Sequence, residues 1–157
     1  MKHNNCTESA QWRPSIHFSP EKNWINDPNG MVYFEGLYHL FYQYNPDGDR
    51  HANMHWGHAT STNLVNWQHH EIGIYADPDG LGYIFSGGAV VDIDNTSGLG
   101  NGKQPPLVAT FTHHSEDEVQ VQSLAYSQDG GFTWQEYANN PVLPNLGIKD
   151  FRDPKVI

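Results

Sequence analysis

The stretch Trp24-Ile25-Asn26-Asp27-Pro28-Asn29-Gly30, followed by Met31-Val32-Tyr33-Phe34, determines how the rest of the chain is interpreted. Asn29-Gly30 is a strong turn dipeptide, because both residue types tolerate positive φ. Pro28 fixes its own φ and favours an extended conformation at Asp27. The stretch therefore predicts a carboxylate on a stiff turn that opens a strand. A purely structural role stays open as well, because Asp side chains commonly organise turns.

Outward from this stretch, the sequence predicts an all-β protein. Short runs rich in β-branched and aromatic residues are separated by clusters of Gly, Pro, Asn and Asp. No amphipathic helical stretch of real length is present, and Glu35-Gly36 predicts a tight hairpin. The predicted strands are 31–34, 38–44, 56–62, 67–70, 84–92, 107–112, 120–127 and 134–137, with a ninth that begins near 155–157.

The predicted strands fall into two groups of four, followed by the start of another. This rhythm is typical of propeller blades, each a four-stranded meander. A β-sandwich would give similar strands, so the pattern alone leaves both architectures open. Ser127-Gln128-Asp129-Gly130-Gly131-Phe132-Thr133-Trp134 matches the Asp-box pattern. That box predicts a hairpin turn with Trp134 packed beneath it, and its role in propellers is normally structural and away from the site.

Charge and composition disfavour several classes of partner. The net charge is −10 with only eight Lys and Arg residues, which disfavours nucleic acid and anionic membrane surfaces. Cys6 is the only cysteine, so no intrachain disulfide can form. Residues 1–15 are expected to be a polar tail without the apolar segment of a signal peptide. No apolar run approaches transmembrane length. We expect a soluble protein that is either cytoplasmic or exported with its signal missing from this copy.

The histidines and the acidic loop do not predict a metal site. A zinc pair at i, i+4 needs a helix, whereas His51, His55 and His58 fall in a predicted loop and strand. On a strand, His55 and His58 point to opposite faces. The loop at Asp92 fails the EF-hand pattern, because its sixth position is not Gly and its twelfth is not Glu. We therefore expect neither a metal nor a cofactor.

Three motifs together resemble glycoside hydrolase family 32, which comprises invertases, inulinases, levanases and related enzymes. The stretch 24–30 resembles the family's nucleophile motif. Phe85-Ser86-Gly87-Gly88 resembles its Phe-Ser-Gly-Ser motif, although Gly88 replaces the last Ser, and Phe151-Arg152-Asp153-Pro154 resembles its Arg-Asp-Pro motif. Order and approximate spacing agree from about Arg13 to Ile157. The resemblance implies a five-bladed β-propeller, usually followed by a β-sandwich, of which residues 16–157 would form about two blades.

The resemblance also implies roles for individual residues. Asp27 would be the nucleophile and Asp153 the transition-state stabiliser, with Arg152 beside it holding the same sugar. Retaining glycosidases also need a general acid about 5–5.5 Å from the nucleophile. The family supplies it from a Glu-Cys motif later in the chain, and no acidic residue here has that context. The sequence thus predicts half of an active site.

Further positions match the family's sugar-binding residues. An aromatic residue in a strand is more often part of the core, so the structural alternative stays open for each of them. The predicted substrate-binding residues are Asn26, Gln43, Trp56, Phe85, Ser86 and Arg152.

The implied activity is release of terminal β-D-fructofuranosyl units from sucrose, inulin or levan with retention. The stretch 148–155 most resembles the exo-acting levanase and inulinase branch. Two alternatives stay open, a fructosyltransferase on the same fold and a fragment that binds sugar without turnover. An open two-blade piece would also expose sheet edges, so we expect the truncated propeller to self-associate.

Overall fold

The computed structural model describes residues 12–156, so Cys6 and most of the predicted tail lie outside the described residues. Within that range, all regular structure is β, and the all-β prediction is confirmed. Two four-stranded antiparallel sheets have the orders β1-β2-β3-β4 and β5-β6-β7-β8. The strands are β1 (Trp24–Phe34), β2 (Leu37–Asn45), β3 (His55–Ser61), β4 (Gln68–His69), β5 (Tyr83–Val91), β6 (Leu107–His114), β7 (Gln120–Ser127) and β8 (Gln135–Glu136).

Strand β1 corrects the expectation of a turn at its start. It begins at Trp24 rather than near residue 31 and runs through the Asp-Pro-Asn-Gly stretch. Proline is tolerated there because β1 is an edge strand of its sheet. The irregularity is absorbed by register shifts between Ile25 and Pro28 and between Asn29 and Val32. Bulges of this kind bend a strand without ending it.

The predictions of the hairpin after β1 and of a last strand near residue 155 have different outcomes. The Glu35-Gly36 hairpin is confirmed, with φ of 47° and 86° at its two residues, as a two-residue type I′ turn requires. The predicted ninth strand is not seen at Lys155 and Val156, which belong to no strand, and Ile157 lies outside the described residues. A strand exists only with a hydrogen-bonded partner, and no described segment pairs with these residues.

Strand β5 carries its own irregularity, between Ile84 and Gly87. A Cβ at Gly87 would lie 2.0 Å from the Thr110 carbonyl oxygen of β6. Only glycine permits that close approach of the two backbones. Strands β1 and β5 lie against each other, so the two irregular segments meet where the sheets meet.

One core cluster joins the two sheets. Its buried members are Phe41, Trp56, Ile74, Ile84, Ala109, Phe111 and Ala125. The Asp box closes this core from the β7–β8 connection. Asp129 accepts hydrogen bonds from the backbone of Phe132 and Thr133 at 3.1 and 2.9 Å. Trp134 packs edge-on against Phe41 with ring centroids 5.3 Å apart, so the structural role predicted for the box is confirmed.

Beneath the Asp box lie three histidines, namely His39 on β2, His58 on β3 and His70 directly after β4. His39 Nδ1 and His58 Nε2 are 3.0 Å apart, and the His58 ring stacks on Phe41 at 4.4 Å. Burial lowers the pKa of His58 to about 3, and the neighbouring His39 and His70 lower it further. This cluster is therefore neutral and acts as core near neutral pH. Across residues 12–156, no three His, Cys, Asp or Glu side chains are arranged to hold a metal ion.

His55 lies on the opposite face of β3 from this cluster, as predicted for a strand. Its Nδ1 accepts a 2.8 Å hydrogen bond from the Ala76 amide. No helix in residues 12–156 has the length and apolar character to cross a membrane.

Candidate active site

Asp27 sits in the register shift of β1 that lies between Ile25 and Pro28. Its side chain is exposed. The Ser86 hydroxyl, from the corresponding irregular segment of β5, donates a 2.7 Å hydrogen bond to Asp27 Oδ2. This bond joins the two sheets through two of the predicted site residues and orients the carboxylate.

Asp27, Ser86 and Asp153 line one cleft of about 420 Å³. Residues from three separate parts of the chain therefore meet there, although Asp27 and Asp153 lie at opposite ends of the sequence. Gly88 also lines the cleft, and a Cβ at that position would meet nothing within 4 Å. The cleft is formed by Asp27, Pro28, Asn29, Gly30, Met31, Ser86, Gly87, Gly88, Ala89, Asp153, Pro154, Lys155 and Val156.

Asp153 reaches the cleft from a segment without regular structure. Its backbone amide donates a 3.1 Å hydrogen bond to Thr112 Oγ1 on β6. Gln122 on β7 donates to the Phe151 carbonyl at 2.7 Å. Sequence reasoning missed both supporting residues, because their pairing depends on the register of β6 with β7.

Arg152 is directed more towards Asp150 than towards the cleft. Its guanidinium hydrogen-bonds the Asp150 carboxylate, and its Nε lies 3.9 Å from Asp153 Oδ2. The hydrogen bond from Arg152 lowers the pKa of Asp150, and the same bond raises the pKa of Arg152. Arg152 is thus next to the candidate site, while its closest partner is an exposed neighbour in sequence.

Asn26 and Phe85 flank the cleft without lining it. The Asn26 side-chain oxygen accepts a 2.8 Å hydrogen bond from Trp24 Nε1. Phe85 is half-buried and stacks on His114, with centroids 4.3 Å apart and an interplanar angle of 15°. Both side chains keep surface that a ligand extending beyond the cleft could contact.

Gln43 and Trp56, which were predicted to bind substrate, lie behind the cleft and are not among the residues that line it. They are 2% and 0% exposed. Gln43 Nε2 donates to the Ile84 carbonyl at 2.9 Å, and Trp56 Nε1 donates to the Phe85 carbonyl at 3.0 Å. Both residues support the β5 wall of the cleft from behind.

Asn29 is a further residue whose place in the site the sequence did not predict, because the Asn29-Gly30 pair was interpreted only as a turn. It is 2% exposed, although it lines the cleft floor. In the amide orientation that satisfies its neighbours, its oxygen lies 3.2 Å from both Gln43 Nε2 and Trp56 Nε1. Asn29 therefore connects the floor of the cleft to the two buried residues behind it.

Asp27 and Asp153 are the only acidic residues among the described residues that line the cleft. The cleft is not lined by Glu71, Glu116, Glu118 or Glu136. Two exposed carboxylates with a hydroxyl between the sheets can bind a neutral polyol, and one of them can attack an electrophilic carbon. Proton donation to a leaving group requires an additional acid.

Comparison with known proteins decides the family. The model of the glycosyl hydrolases family 32 N-terminal domain matches residues 17–157. The chain belongs to glycoside hydrolase family 32. A levanase from Bacillus subtilis is 61% identical over 145 residues, which is 92% of this chain.

Solved structures of family 32 enzymes have the same fold. The exo-inulinase from Aspergillus awamori superposes with a TM-score of 0.84 at 44% identity over 90% of this chain. A β-fructofuranosidase from Schwanniomyces occidentalis, complexed with fructosyl-erythritol, gives a TM-score of 0.86 at 46% identity over 92% of this chain. The two four-stranded sheets are thus two blades of a family 32 five-bladed propeller.

The chain spans only part of each relative. It covers 21% of the levanase, 32% of the exo-inulinase chain and 29% of the β-fructofuranosidase chain.

Proposed function

We propose that this chain supplies the nucleophile half of a fructan-acting glycoside hydrolase active site. The observation that carries the proposal is the cleft itself. Asp27, bonded to Ser86 at 2.7 Å, faces the same space as Asp153. In the intact enzyme, this site releases terminal β-D-fructofuranosyl units from sucrose, inulin or levan. The levanase and exo-inulinase relatives support that class of substrate.

The reaction that we propose is a double displacement with retention. The Ser86 hydrogen bond holds Oδ2 of Asp27, which leaves Oδ1 to attack the anomeric carbon of the fructosyl unit. The carbon–oxygen bond to the leaving group breaks as the ester to Asp27 forms, and the leaving oxygen takes a proton from the general acid. Water then cleaves the ester, assisted by the same acid in its basic form.

Asp153 has a different role in the proposal. Its carboxylate is 60% exposed and accepts hydrogen bonds from the sugar hydroxyls. Such bonds strengthen as positive charge develops on the sugar ring, so they lower the barrier. Arg152 extends the same edge of the site, and Asn26 and Phe85 contact the part of the substrate beyond the fructosyl unit.

The described walls of this cleft carry no further acidic residue that could serve as the general acid. We infer that residues 16–157 are the N-terminal portion of the catalytic propeller and that residues 1–15 are a polar tail. Alone, the chain binds fructosyl sugar but does not turn it over. Its outer sheet edges and exposed side chains such as Met31, Tyr33 and Val156 favour self-association.

A chimera tests the activity. In what we call the completed enzyme, residues 17–157 replace the segment that they match in the Bacillus subtilis levanase. We expect it to release fructose from sucrose, inulin and levan. Proton NMR during the first turnovers should show the β-anomer, as retention requires. Release of the α-anomer would contradict Asp27 as nucleophile, and oligosaccharides in place of free fructose at high sucrose would indicate transfer instead of hydrolysis.

A further inference from the structure

Two buried polar residues form a pair behind the Asp153 segment. Thr112 on β6 and Gln122 on β7 are directly opposed in the strand register and are 0% and 4% exposed. The Thr112 hydroxyl donates a 2.7 Å hydrogen bond to Gln122 Oε1. This leaves Thr112 Oγ1 as an acceptor and Gln122 Nε2 as a donor for other groups.

Both remaining positions are used by the segment that carries Asp153. Gln122 Nε2 donates to the Phe151 carbonyl at 2.7 Å, and the Asp153 amide donates to Thr112 Oγ1 at 3.1 Å. The bonds run in one direction, from the Asp153 amide through Thr112 and Gln122 to Phe151. Chains of hydrogen bonds that run in one direction in a buried setting polarise and strengthen one another.

The segment needs such support. Residues 151–156 belong to no strand, so no ladder of backbone hydrogen bonds fixes them. Asp153 has a φ of 62°, a left-handed conformation that is uncommon outside glycine. Backbone in sparsely populated regions persists only where the surroundings hold it. The two bonds hold the backbone on both sides of Arg152.

We propose that Thr112 and Gln122 are positioning residues for Asp153, an inference that rests on the proposed function of the cleft. They touch only the backbone of the segment, while the Asp153 carboxylate faces the cleft. Their effect on the reaction is therefore to fix where that carboxylate stands relative to the sugar hydroxyls. Misplacement of a reacting group by about 1 Å can cost roughly 10²-fold in rate.

Three variants separate positioning from general packing. Thr112→Val has nearly the same shape and lacks the hydroxyl, so both of its bonds are lost. Thr112→Ser keeps the hydroxyl and serves as the rescue. Thr110→Val is the matched control, because Thr110 is buried on the same strand and its hydroxyl makes no hydrogen bond to residues 12–156. If Thr112→Val fails to fold, Gln122→Met takes its place, because it removes the Thr112–Gln122 hydrogen bond by changing the residue on β7.

Two measurements are made on each variant. Hydrogen exchange by mass spectrometry follows the peptide that contains Asp153, in the chain itself and in the completed enzyme. Steady-state kinetics of the completed enzyme give kcat and KM for sucrose. We expect Thr112→Val to speed exchange of that peptide about tenfold or more while β6 peptides stay protected. We also expect kcat to fall about 10- to 100-fold with KM little changed.

Thr112→Ser should restore both readouts, and Thr110→Val should leave both at the wild-type level. The proposal is overturned if Thr112→Val and Thr110→Val behave alike, or if exchange quickens throughout β6 as well. A completed enzyme without any fructose release would instead contradict the proposed function. Exchange at Asp153 would still decide whether the pair holds the segment.

Discussion

Strands β1 and β5, which meet at the cleft, are built alike. Each loses register where it lines or approaches the cleft: β1 between Ile25 and Pro28 and again between Asn29 and Val32, and β5 between Ile84 and Gly87. Asp27 lies in the Ile25–Pro28 irregularity of β1, and Ser86 lies in the irregularity of β5. Bulges of this kind re-aim a side chain next to a functional site. The two blades thus use one backbone device to present two different groups.

The difference lies in the chemistry of the group presented. The first blade places a carboxylate in its irregular segment, and the second places a hydroxyl that donates to that carboxylate. The backbone decides where a side chain points, and the residue type decides what it does there. The account therefore predicts unequal effects when the two positions are changed.

The largest effect is expected for Asp27→Asn in the completed enzyme. The amide keeps the shape and the Ser86 partner but cannot act as a nucleophile. We expect kcat for sucrose to fall about 10⁴-fold or more, as for loss of other enzymic nucleophiles. The measurement is fructose release at saturating sucrose. Residual activity within a factor of ten of wild type would show that the bulge of β1 does not carry the nucleophile.

The next effect tests the close backbone approach that shapes β5. Gly87→Ala places a Cβ 2.0 Å from the Thr110 carbonyl oxygen, and backbone cannot yield as a flexible side chain can. We expect a loss of about 3 kcal/mol in the free energy of unfolding, measured by urea denaturation of the completed enzyme. Gly88→Ala is the control, since its Cβ meets nothing within 4 Å. It should change stability by less than about 0.5 kcal/mol.

A third effect concerns the buried histidine His58 of the first sheet and depends on pH. The pKa of His58 is about 3 in the folded chain and near 6.5 when unfolded. The unfolded state therefore binds more protons as pH falls below 6.5, and stability is lost in that direction. Between pH 7 and pH 5, His58 alone should cost about 2 kcal/mol.

The variant His58→Phe checks this sign. Phe can stack on Phe41 and cannot be protonated, although His39 loses a partner. Overall stability at pH 7 should therefore fall, while its dependence on pH between 7 and 5 becomes shallower. Urea midpoints at the two pH values give the comparison. An unchanged slope would assign the acid sensitivity to other groups.

The smallest effect is expected at Ser86, whose hydroxyl the second blade presents to Asp27. Ser86→Ala removes a 2.7 Å hydrogen bond to a charged oxygen, worth about 1.5 kcal/mol. We expect kcat/KM for sucrose to fall roughly tenfold, and Ser86→Thr, which keeps the hydroxyl, to retain most activity. If Ser86→Ala is as damaging as Asp27→Asn, the two bulges do not divide their roles as described.

Much of this comparison could be read from the sequence. The eight strands, the Glu35-Gly36 hairpin and the Asp box follow from alternation, turn dipeptides and composition. The expectation that Asp27 and Asp153 share a site rested instead on the resemblance to glycoside hydrolase family 32. These signals are local, or they are carried by short motifs whose residues have few substitutes.

The remainder depends on contacts between distant strands. The stretch at Asp27 looks like a turn because Pro28 and Asn29-Gly30 favour turns locally, but pairing with β2 keeps it in a strand. The burial of Trp56 depends on the packing of the two sheets against each other. The support of Asp153 by Thr112 and Gln122 requires the β6–β7 register. None of these relations is encoded in a single stretch of sequence.

Fructose release from sucrose, inulin and levan, measured side by side for the 157-residue chain and for the completed enzyme, is the most direct test of the central claim. The account predicts turnover by the completed enzyme and none by the chain alone, because the described walls of the cleft hold a nucleophile and a stabilising carboxylate but no general acid. Release by the chain alone would contradict this, since a carboxylate within these residues would then have to serve as the acid.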